Sequence, residues 1–307
     1  MSPRFKIGLP LTLHLLAFLL MALKIEPFLT FFYGLAWWSY LATIGAVNSV
    51  QGGNSLLFER RPQLVRLALL SVPVWLLFEA YNFRLENWSY LSVPVEPWLR
   101  FPGYPIAFAT VLPGLVETRT LLANFGFPKQ REGRLLRVHR GLLWRLAALG
   151  LLMTVLPLAW PRFYFPMVWV GLILLLDPLL YRWRDKGSLL AAAERGDYRE
   201  TFGWLWTGLV CGVLWEFWNY WAGAKWIYWI PYFDFLRIFE MPLLGYFGFP
   251  VFALECYLII RVFDQLRKRL GPTRMIVLTA GALLFSVAVI YGIEERTILS
   301  YKILWGG

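Results

Sequence analysis

The sequence predicts an all-α polytopic membrane protein with about nine transmembrane helices, arranged as two parallel four-helix repeats plus one further helix. Apolar residues form 59% of the 307 residues and charged residues only 16%. The mean hydropathy of +0.55 lies well outside the range of soluble proteins. The apolar residues form runs of membrane-spanning length. A pattern of polar and aromatic residues also occurs twice, which indicates that the fold is internally repeated.

The apolar runs are each long enough to cross a bilayer as a helix. We expect them at residues 7–23, 27–47, 65–82, 104–124, 143–160, 163–181, 202–222, 242–263 and 275–293. Arg4 and Lys6 precede the first run, but no small-x-small cleavage pattern follows it. The first helix is therefore expected to be retained rather than removed as a signal peptide.

Lys and Arg residues are concentrated at the N-terminus and in every second loop. This asymmetry predicts a multi-pass protein of the plasma or inner membrane with a cytoplasmic N-terminus. The net charge of +11 is spread between apolar runs rather than along one face of a soluble domain, so we expect no nucleic-acid partner. One basic loop is expected to lie against anionic lipid headgroups; its cations are Lys129, Arg131, Arg134, Arg137 and Arg140.

The repeated pattern begins with Glu-x-x-Asn and continues with Trp-x-Tyr, three prolines and a later glutamate. The copies are Glu79, Asn82, Trp88, Tyr90, Pro94, Pro105, Pro113 and Glu117, then Glu216, Asn219, Trp226, Tyr228, Pro231, Pro242, Pro250 and Glu255, with every pair 137 or 138 positions apart. An even number of crossings per unit makes the two copies parallel. We expect a first four-helix repeat at 1–124, a basic cytoplasmic loop at 125–142, a second repeat at 143–263, and a ninth helix with its tail at 275–307.

Four carboxylates fall inside predicted spans, namely Glu79, Glu117, Glu216 and Glu255. A charged carboxylate is costly in the hydrocarbon region, so we expect these groups to be protonated or paired. Pro113 and Pro250 are expected to kink the helices that carry the two later glutamates. We predict that the four acids face a shared chamber between the repeats and are catalytic. The alternative is that Glu and Asn only join helices by hydrogen bonds.

Other kinds of chemistry are excluded by what the sequence lacks. The chain has only two histidines, His14 and His139, and two cysteines, Cys211 and Cys256. These numbers rule out a bis-histidine haem, a zinc site and a disulfide framework. No phosphate-binding or nucleophile-elbow motif is present. We expect no cofactor and no metal, which leaves acid chemistry in an aromatic-lined apolar cavity, or no chemistry.

Trp226-x-Tyr228, followed by a loop and the proline-to-acid helix from Pro250 to Glu255, resembles the membrane-embedded lycopene cyclases of the small duplicated type. It is also similar to the related carotenoid hydratases, over residues 70–120 and 205–260. The resemblance implies an isomerase of carotenoid biosynthesis that acts on an isoprenoid substrate, with Glu117 or Glu255 supplying a proton. Aromatic faces would stabilise the carbocation, and the implied substrate-binding residues are Asn82, Asn219, Trp88, Tyr90, Trp215, Trp218, Trp226 and Tyr228.

Two other functions stay open at this point, and no oligomeric state is assigned. One is a proton-coupled transporter or channel in which the matched carboxylates line a pathway between the halves. The other is a non-catalytic membrane subunit that binds a lipid. Dissipating a proton gradient would stop the transporter but not a cyclase, and a purely structural protein would tolerate Glu255→Gln.

Overall fold

The computed structural model describes residues 2–129, 132–232 and 234–304, and it is mostly helical. In this part of the chain, seven helical segments are long and apolar enough to cross a membrane, which confirms a helical membrane protein. They are Pro3–Ala22, Arg61–Leu85, Pro97–Asn124, Arg140–Ala159, Pro161–Arg182, Leu243–Arg269 and Pro272–Arg296.

Helices form almost the whole architecture. They are α1 Pro3–Ala22, α2 Phe32–Gly52, α3 Arg61–Leu85, α4 Pro97–Phe108, α5 Val111–Asn124, α6 Arg140–Ala159, α7 Pro161–Tyr164, α8 Val168–Arg182, α9 Leu189–Glu194, α10 Arg199–Trp221, α11 Gly248–Arg269 and α12 Pro272–Arg296. Two 3₁₀ turns precede α8 and α11, at Phe165–Met167 and Leu243–Phe247. The strands are β1 Trp88–Leu91, β2 Val93–Pro94, β3 Lys225–Tyr228, β4 Arg237–Ile238, β5 Met241–Pro242 and β6 Tyr301–Lys302.

Helices α2 and α10 have 21 and 23 residues but are not among the seven apolar spans. Both carry small, aromatic and polar residues, and both pack inside the bundle. Helix α2 contacts α1 and α5, while α10 contacts α11 and α5. Trp37 on α2 and Cys211 on α10 are completely buried. Protein side chains rather than lipid therefore surround much of these two helices.

Pro113 and Pro250 lie in the first turns of α5 and α11. Amides in a first turn have no intrahelical acceptor, so proline is tolerated there. The ring of Pro113 does not fit against the carbonyl of residue 109 in a continuous helix, and the chain breaks between α4 and α5 at residues 109–110. The expected kinks are thus replaced by a helix break and a helix start.

Strands β1 and β3 pair antiparallel and join the two distant parts of the chain. Trp88 lies opposite Tyr228, and Tyr90 lies opposite Trp226. Opposite residues share a face of a sheet, and so do residues two apart along a strand. All four aromatic side chains therefore lie on one face of this two-stranded unit, which we call the aromatic ribbon (residues 88–91 and 225–228).

The segment after α12 binds the other edge of β1. The Tyr90 amide donates to the Thr297 carbonyl at 2.8 Å, and the Leu299 amide donates to the Tyr90 carbonyl at 2.8 Å. Strand β6 continues this contact by pairing in parallel with β2. Helix α12 also packs along α3. The last helix and its tail therefore brace the first strand of the ribbon.

The basic loop lies away from the packed core. Lys129, Arg134, Arg137 and Arg140 are exposed, whereas Arg131 lies outside the described residues.

Helices α1, α6 and α12 expose apolar side chains on the outside of the bundle; for example, Leu15 and Leu284 are 60% and 73% exposed. Apolar side chains directed outward from a helical bundle are typical of contact with lipid.

Candidate functional site

A cavity of about 1170 Å³ lies beneath the aromatic ribbon. Helices α1, α2 and α4 form one wall, and the 3₁₀ turns with α8 and α11 form the other. Its lining is mostly apolar, as in sites that bind hydrophobic ligands. Its lining contains many aromatic side chains, and six of them are Trp75, Trp88, Tyr90, Trp215, Trp226 and Tyr228.

Glu79 lies directly behind this lining and is completely buried. Its Oε1 atom accepts three hydrogen bonds, from the Tyr90 hydroxyl at 2.5 Å, Trp75 Nε1 at 2.8 Å and Trp88 Nε1 at 3.1 Å. Its Oε2 atom has no hydrogen-bond partner among the described residues. We call these four residues the Glu79 cluster. Its donors converge on a single oxygen.

Glu216 is also completely buried, but its hydrogen bonds form a chain. Trp226 Nε1 donates to the Tyr228 oxygen at 2.7 Å, and the Tyr228 hydroxyl donates to Glu216 Oε1 at 2.8 Å. Glu216 Oε2 has no partner within the described part of the chain. We call these three residues the Glu216 cluster. Here only one donor reaches the carboxyl group.

Both tyrosines line the cavity and stay protonated. Burial, followed by the charge of Glu79, raises the pKa of Tyr90 well above its usual value. Burial, followed by the charge of Glu216, does the same to the pKa of Tyr228. Each hydroxyl therefore stands between the cavity and a buried carboxyl group, where it can pass a hydrogen bond or a proton.

Asn82 and Asn219 hold the backbone of the ribbon. Asn82 Nδ2 donates to the Trp88 carbonyl at 2.8 Å, and its Oδ1 accepts from the amides of Asn87 at 2.8 Å and Trp88 at 3.1 Å. Asn219 Nδ2 donates to the Trp226 carbonyl at 2.8 Å, and its Oδ1 accepts from the Trp226 amide at 2.9 Å. We expected these amides to orient the acids and contact substrate, but they fix the strand that carries the aromatics.

Glu117 lies at a different place from the ribbon clusters. Its Oε1 accepts from the Leu56 amide at 2.5 Å and the Ser55 hydroxyl at 2.9 Å, and its Oε2 accepts from Asn48 Nδ2 at 2.6 Å. These bonds tie α5 to α2 and to the turn before α3. Neither Glu117 nor these three hydrogen-bond partners are among the described residues that line the cavity, so its role as a proton donor stays a prediction that these contacts do not support.

Glu255 also faces a helix rather than the cavity. It is completely buried, and its Oε1 accepts from the Leu172 amide of α8 at 3.2 Å. It does not belong to the described cavity lining either. None of the four acids is among the described lining residues. Glu79 and Glu216 bond to lining tyrosines, whereas α5 and α11 direct their glutamates toward α2 and α8. The four acids therefore do not face one chamber, and their catalytic role stays a prediction.

Trp215 and Trp218 have separate environments. Trp215 lines the cavity and packs on Phe252 with a ring separation of 5.7 Å. Trp218 packs on Trp37 at 4.8 Å and Tyr40 at 5.3 Å and lies outside the described lining. Of these two predicted substrate contacts, Trp215 is the one that reaches the cavity.

Trp75 lines the cavity and donates to Glu79, and sequence reasoning missed it. It lies four positions before Glu79, on the same face of α3, and this spacing is the signal that would have found it. The position one turn before Glu216 is Gly212, and a Cβ atom built there would lie 2.3 Å from the ring of Phe249. Phe249 therefore occupies the space in which a tryptophan would approach Glu216.

The cations at the cavity are already paired. Arg100 contacts Glu294 at 2.7 Å, and Lys225 contacts Glu240 at 2.6 Å. Among the salt bridges of the described residues, none involves Glu79 or Glu216. The two buried glutamates are therefore governed by hydrogen bonding and burial rather than by an ion pair.

No group of three or more His, Cys, Asp or Glu side chains that could hold a metal ion occurs within residues 2–129, 132–232 and 234–304. Comparison of the chain with protein-family models, curated proteins and solved structures gives no significant match. Function is therefore inferred from the cavity and its two buried glutamates.

Proposed function

We propose that the protein binds a long hydrophobic lipid of the isoprenoid or carotenoid type and cyclises or hydrates it by acid catalysis. One observation supports this most strongly. An apolar cavity of about 1170 Å³ has two tyrosines in its lining, Tyr90 and Tyr228, each hydrogen-bonded to a buried glutamate. An apolar ligand and a source of protons thus share one water-poor site.

The lining favours a ligand that develops positive charge. Protonation of a C=C bond creates a carbocation, which a ring face can stabilise by about 2 kcal/mol when desolvated. Trp75, Trp88, Trp215 and Trp226 all line the cavity. A polyene or isoprenoid supplies the required combination of apolar length and C=C bonds, and the low dielectric strengthens each electrostatic contact.

We also propose the finer architecture of two parallel four-helix repeats plus a ninth helix, with a cytoplasmic N-terminus. The ribbon register supports it, because Ser89 lies opposite Ile227 and the two occupy the same position of the two sequence copies. Matched residues that pair with each other indicate a local two-fold axis through the ribbon. The equivalent clamps formed by Asn82 and Asn219 agree with this axis.

We further propose that the basic loop binds anionic lipid headgroups. Its exposed cations include Lys129, Arg134 and Arg137, and such clusters beside a membrane attract acidic lipid. Flotation with vesicles that contain or lack phosphatidylglycerol would test this. The wild type should prefer vesicles that contain phosphatidylglycerol, and variants with these cations neutralised should lose that preference. A preference that persists in the neutralised variants would contradict the proposal.

The enzyme proposal is tested by lipid extraction and mass spectrometry. Cells with the gene deleted are compared with cells that express the wild type, Glu79→Gln or Glu216→Gln at equal protein levels. The expected result is an isoprenoid that accumulates on deletion and in the glutamine variants, together with loss of its cyclised or hydrated product. If deletion leaves every isoprenoid unchanged, the proposed activity is wrong.

A proton-coupled transporter is the second candidate. It is favoured by the presence of a buried glutamate behind the cavity on each side of the ribbon, since alternating protonation of such groups drives transport. Dissipating the proton gradient distinguishes the two candidates. Conversion in detergent without any gradient supports the enzyme, whereas uptake into vesicles that stops with an uncoupler supports the transporter.

A further inference from the structure

We propose that the two buried glutamates carry different charges and different roles. Glu216 holds a proton that Tyr228 delivers to the cavity, whereas Glu79 is a fixed carboxylate that stabilises positive charge there. The chemical roles rest on the proposed function. The difference in charge does not, because it can be measured without any substrate.

The geometry of the Glu79 cluster favours a carboxylate. Three donors converge on Oε1, which is more than the two lone pairs of a neutral carbonyl oxygen accept well. Hydrogen bonds to a charged acceptor are shorter and stronger than those between neutral groups. The 2.5 Å contact from Tyr90 is of this kind. Such bonds stabilise the ionised form of a buried acid.

The geometry of the Glu216 cluster favours a neutral acid. Among the hydrogen bonds of the described residues, the one from the Tyr228 hydroxyl alone reaches the carboxyl group, because Trp226 Nε1 donates to the tyrosine oxygen instead. Phe249 fills the space beside Gly212, so no indole corresponding to Trp75 can approach. A completely buried carboxyl group with one donor and no cation is disfavoured as an ion.

Tyr228 is the group that contacts the ligand, since it lines the cavity and Glu216 lies behind it. A hydroxyl hydrogen rotates to suit its partners. When neutral Glu216 donates to the Tyr228 oxygen, the hydroxyl hydrogen is free to turn into the cavity. Tyr228 is therefore a further catalytic residue, and Trp226 positions its oxygen at 2.7 Å.

Glu216 supplies the proton that starts the reaction, and a proton returns to it at the end. Tyr228 gives its hydroxyl proton to one carbon of a C=C bond, whose π electrons form the new C–H bond, while Glu216 passes its proton to the tyrosine oxygen. The carbocation then accepts the π electrons of a second C=C bond, which closes a ring. Loss of a proton from the adjacent carbon returns it through Tyr228 to Glu216. In hydration, a water molecule attacks the carbocation and forms the C–O bond. One proton of that water then returns through Tyr228 to Glu216.

Glu79 acts across the cavity without bonding to the cation. Trp75 and Tyr90 line the cavity in front of it, so its charge is held behind an aromatic wall. A fixed negative charge in a water-poor site stabilises a developing cation without reorganisation. The wall also keeps the carboxylate from forming an ester with the carbocation.

Infrared difference spectroscopy of the purified protein at neutral pH tests the charges directly. Glu216→Gln is expected to remove the C=O stretch of a protonated carboxyl group. Glu79→Gln is expected to remove the antisymmetric stretch of a carboxylate. Glu240→Gln provides the reference for a carboxylate, because Glu240 is ion-paired with Lys225. Loss of the same kind of band in both test variants, or the reverse assignment, overturns the proposal.

Trp75→Phe keeps the test decisive if Glu79→Gln does not fold. This variant retains the Glu79 carboxyl group but removes one of its three donors. A new protonated-carboxyl band supports the proposal, and an unchanged spectrum contradicts it. If gene deletion leaves cellular lipids unchanged, the proposed function fails, while the infrared result still decides the two charges.

Discussion

The Glu79 and Glu216 clusters use the same residue types but arrange their hydrogen bonds differently. Around Glu79, two tryptophans and a tyrosine donate to one oxygen. Around Glu216, tryptophan, tyrosine and glutamate form a single chain. The decisive neighbour lies one helical turn before each glutamate, where Trp75 corresponds to Gly212. The repeated motif thus fixes where each buried glutamate lies, whereas the residues around the motif determine how many hydrogen bonds that glutamate accepts.

The two clusters also differ in how their strands are supported. Strand β1 has backbone partners on both edges, namely β3 and the segment after α12. Helix α12 adds a further brace, because Glu294 binds Arg100 and accepts from Tyr104 at 2.5 Å. Among the described hydrogen bonds, β3 has backbone pairing on one edge only. We therefore expect the Glu79 cluster to be the more rigid of the two.

The largest expected difference is in activity. Tyr228→Phe removes the hydroxyl that we propose as the proton donor, so we expect conversion to fall by about 100-fold or more. Tyr90→Phe removes one of three donors to Glu79, and we expect a loss of about tenfold. The ratio of product to unconverted lipid in cells, measured by mass spectrometry at matched expression, checks both values. Equal losses would show that the two clusters act alike.

Breaking the ion pair between Arg100 and Glu294, which braces strand β1, should cause a large loss of stability. Arg100 and Glu294 are 9% and 12% exposed, and removing one partner of a buried ion pair costs about 3 kcal/mol or more. We expect Arg100→Gln to lower the free energy of unfolding by that amount. The matched control is Lys225→Gln, since Lys225 is 26% exposed and its loss should cost about 1 kcal/mol. Thermal unfolding in detergent measures both.

The asparagine clamps should differ by one hydrogen bond. Asn82 makes three bonds to the ribbon backbone and Asn219 makes two. Each buried backbone group left without a partner costs about 1–3 kcal/mol, so Asn82→Ala should be the more destabilising variant. Asn54→Ala is the control, because Asn54 is exposed. Equal unfolding temperatures for all three variants would contradict a clamping role.

The smallest expected difference is in how acid changes the stability of the protein. It concerns turns at the end of the bundle opposite the aromatic ribbon. Burial alone would raise the pKa of Asp185, but hydrogen bonds from Arg261 and Gln265 outweigh it and lower the pKa below the usual 3.8. This carboxylate thus stabilises the protein above about pH 4, and its contribution is lost as pH falls through the lowered value. Unfolding midpoints of the wild type and Asp185→Asn should differ above about pH 4 and converge as the pH falls below it.

Glu59 provides the comparison in the first half. Burial tends to raise its pKa, but the Ser49 hydroxyl, the Ser55 amide and Lys6 lower it overall. Its side chain is 34% exposed, whereas that of Asp185 is 1% exposed. We therefore expect Glu59→Gln to change the acid dependence less than Asp185→Asn. A larger change for Glu59→Gln would show that side-chain exposure does not determine how strongly these two carboxylates affect stability in acid.

Composition and pattern by themselves determined the membrane class and the position of the long helices, and they marked Glu79 and Glu216, together with Glu117 and Glu255, as matched acids inside predicted spans. These features depend on local properties, because hydropathy over about 20 residues decides whether a helix suits a bilayer. The Glu-x-x-Asn spacing was also readable, since residues three apart share a helix face. The i−4 position of Trp75 was equally available in the sequence.

Tertiary structure alone decided which acids bond to residues of the cavity lining. The sequence indicates how far along their helices Glu117 and Glu255 lie, but the direction of each side chain depends on how its helix packs against a neighbour. Depth follows from the rise per residue, whereas direction follows from the contacts of the assembled bundle. The pairing of β1 with β3, across more than 130 residues of chain, is likewise decided only when the two halves meet.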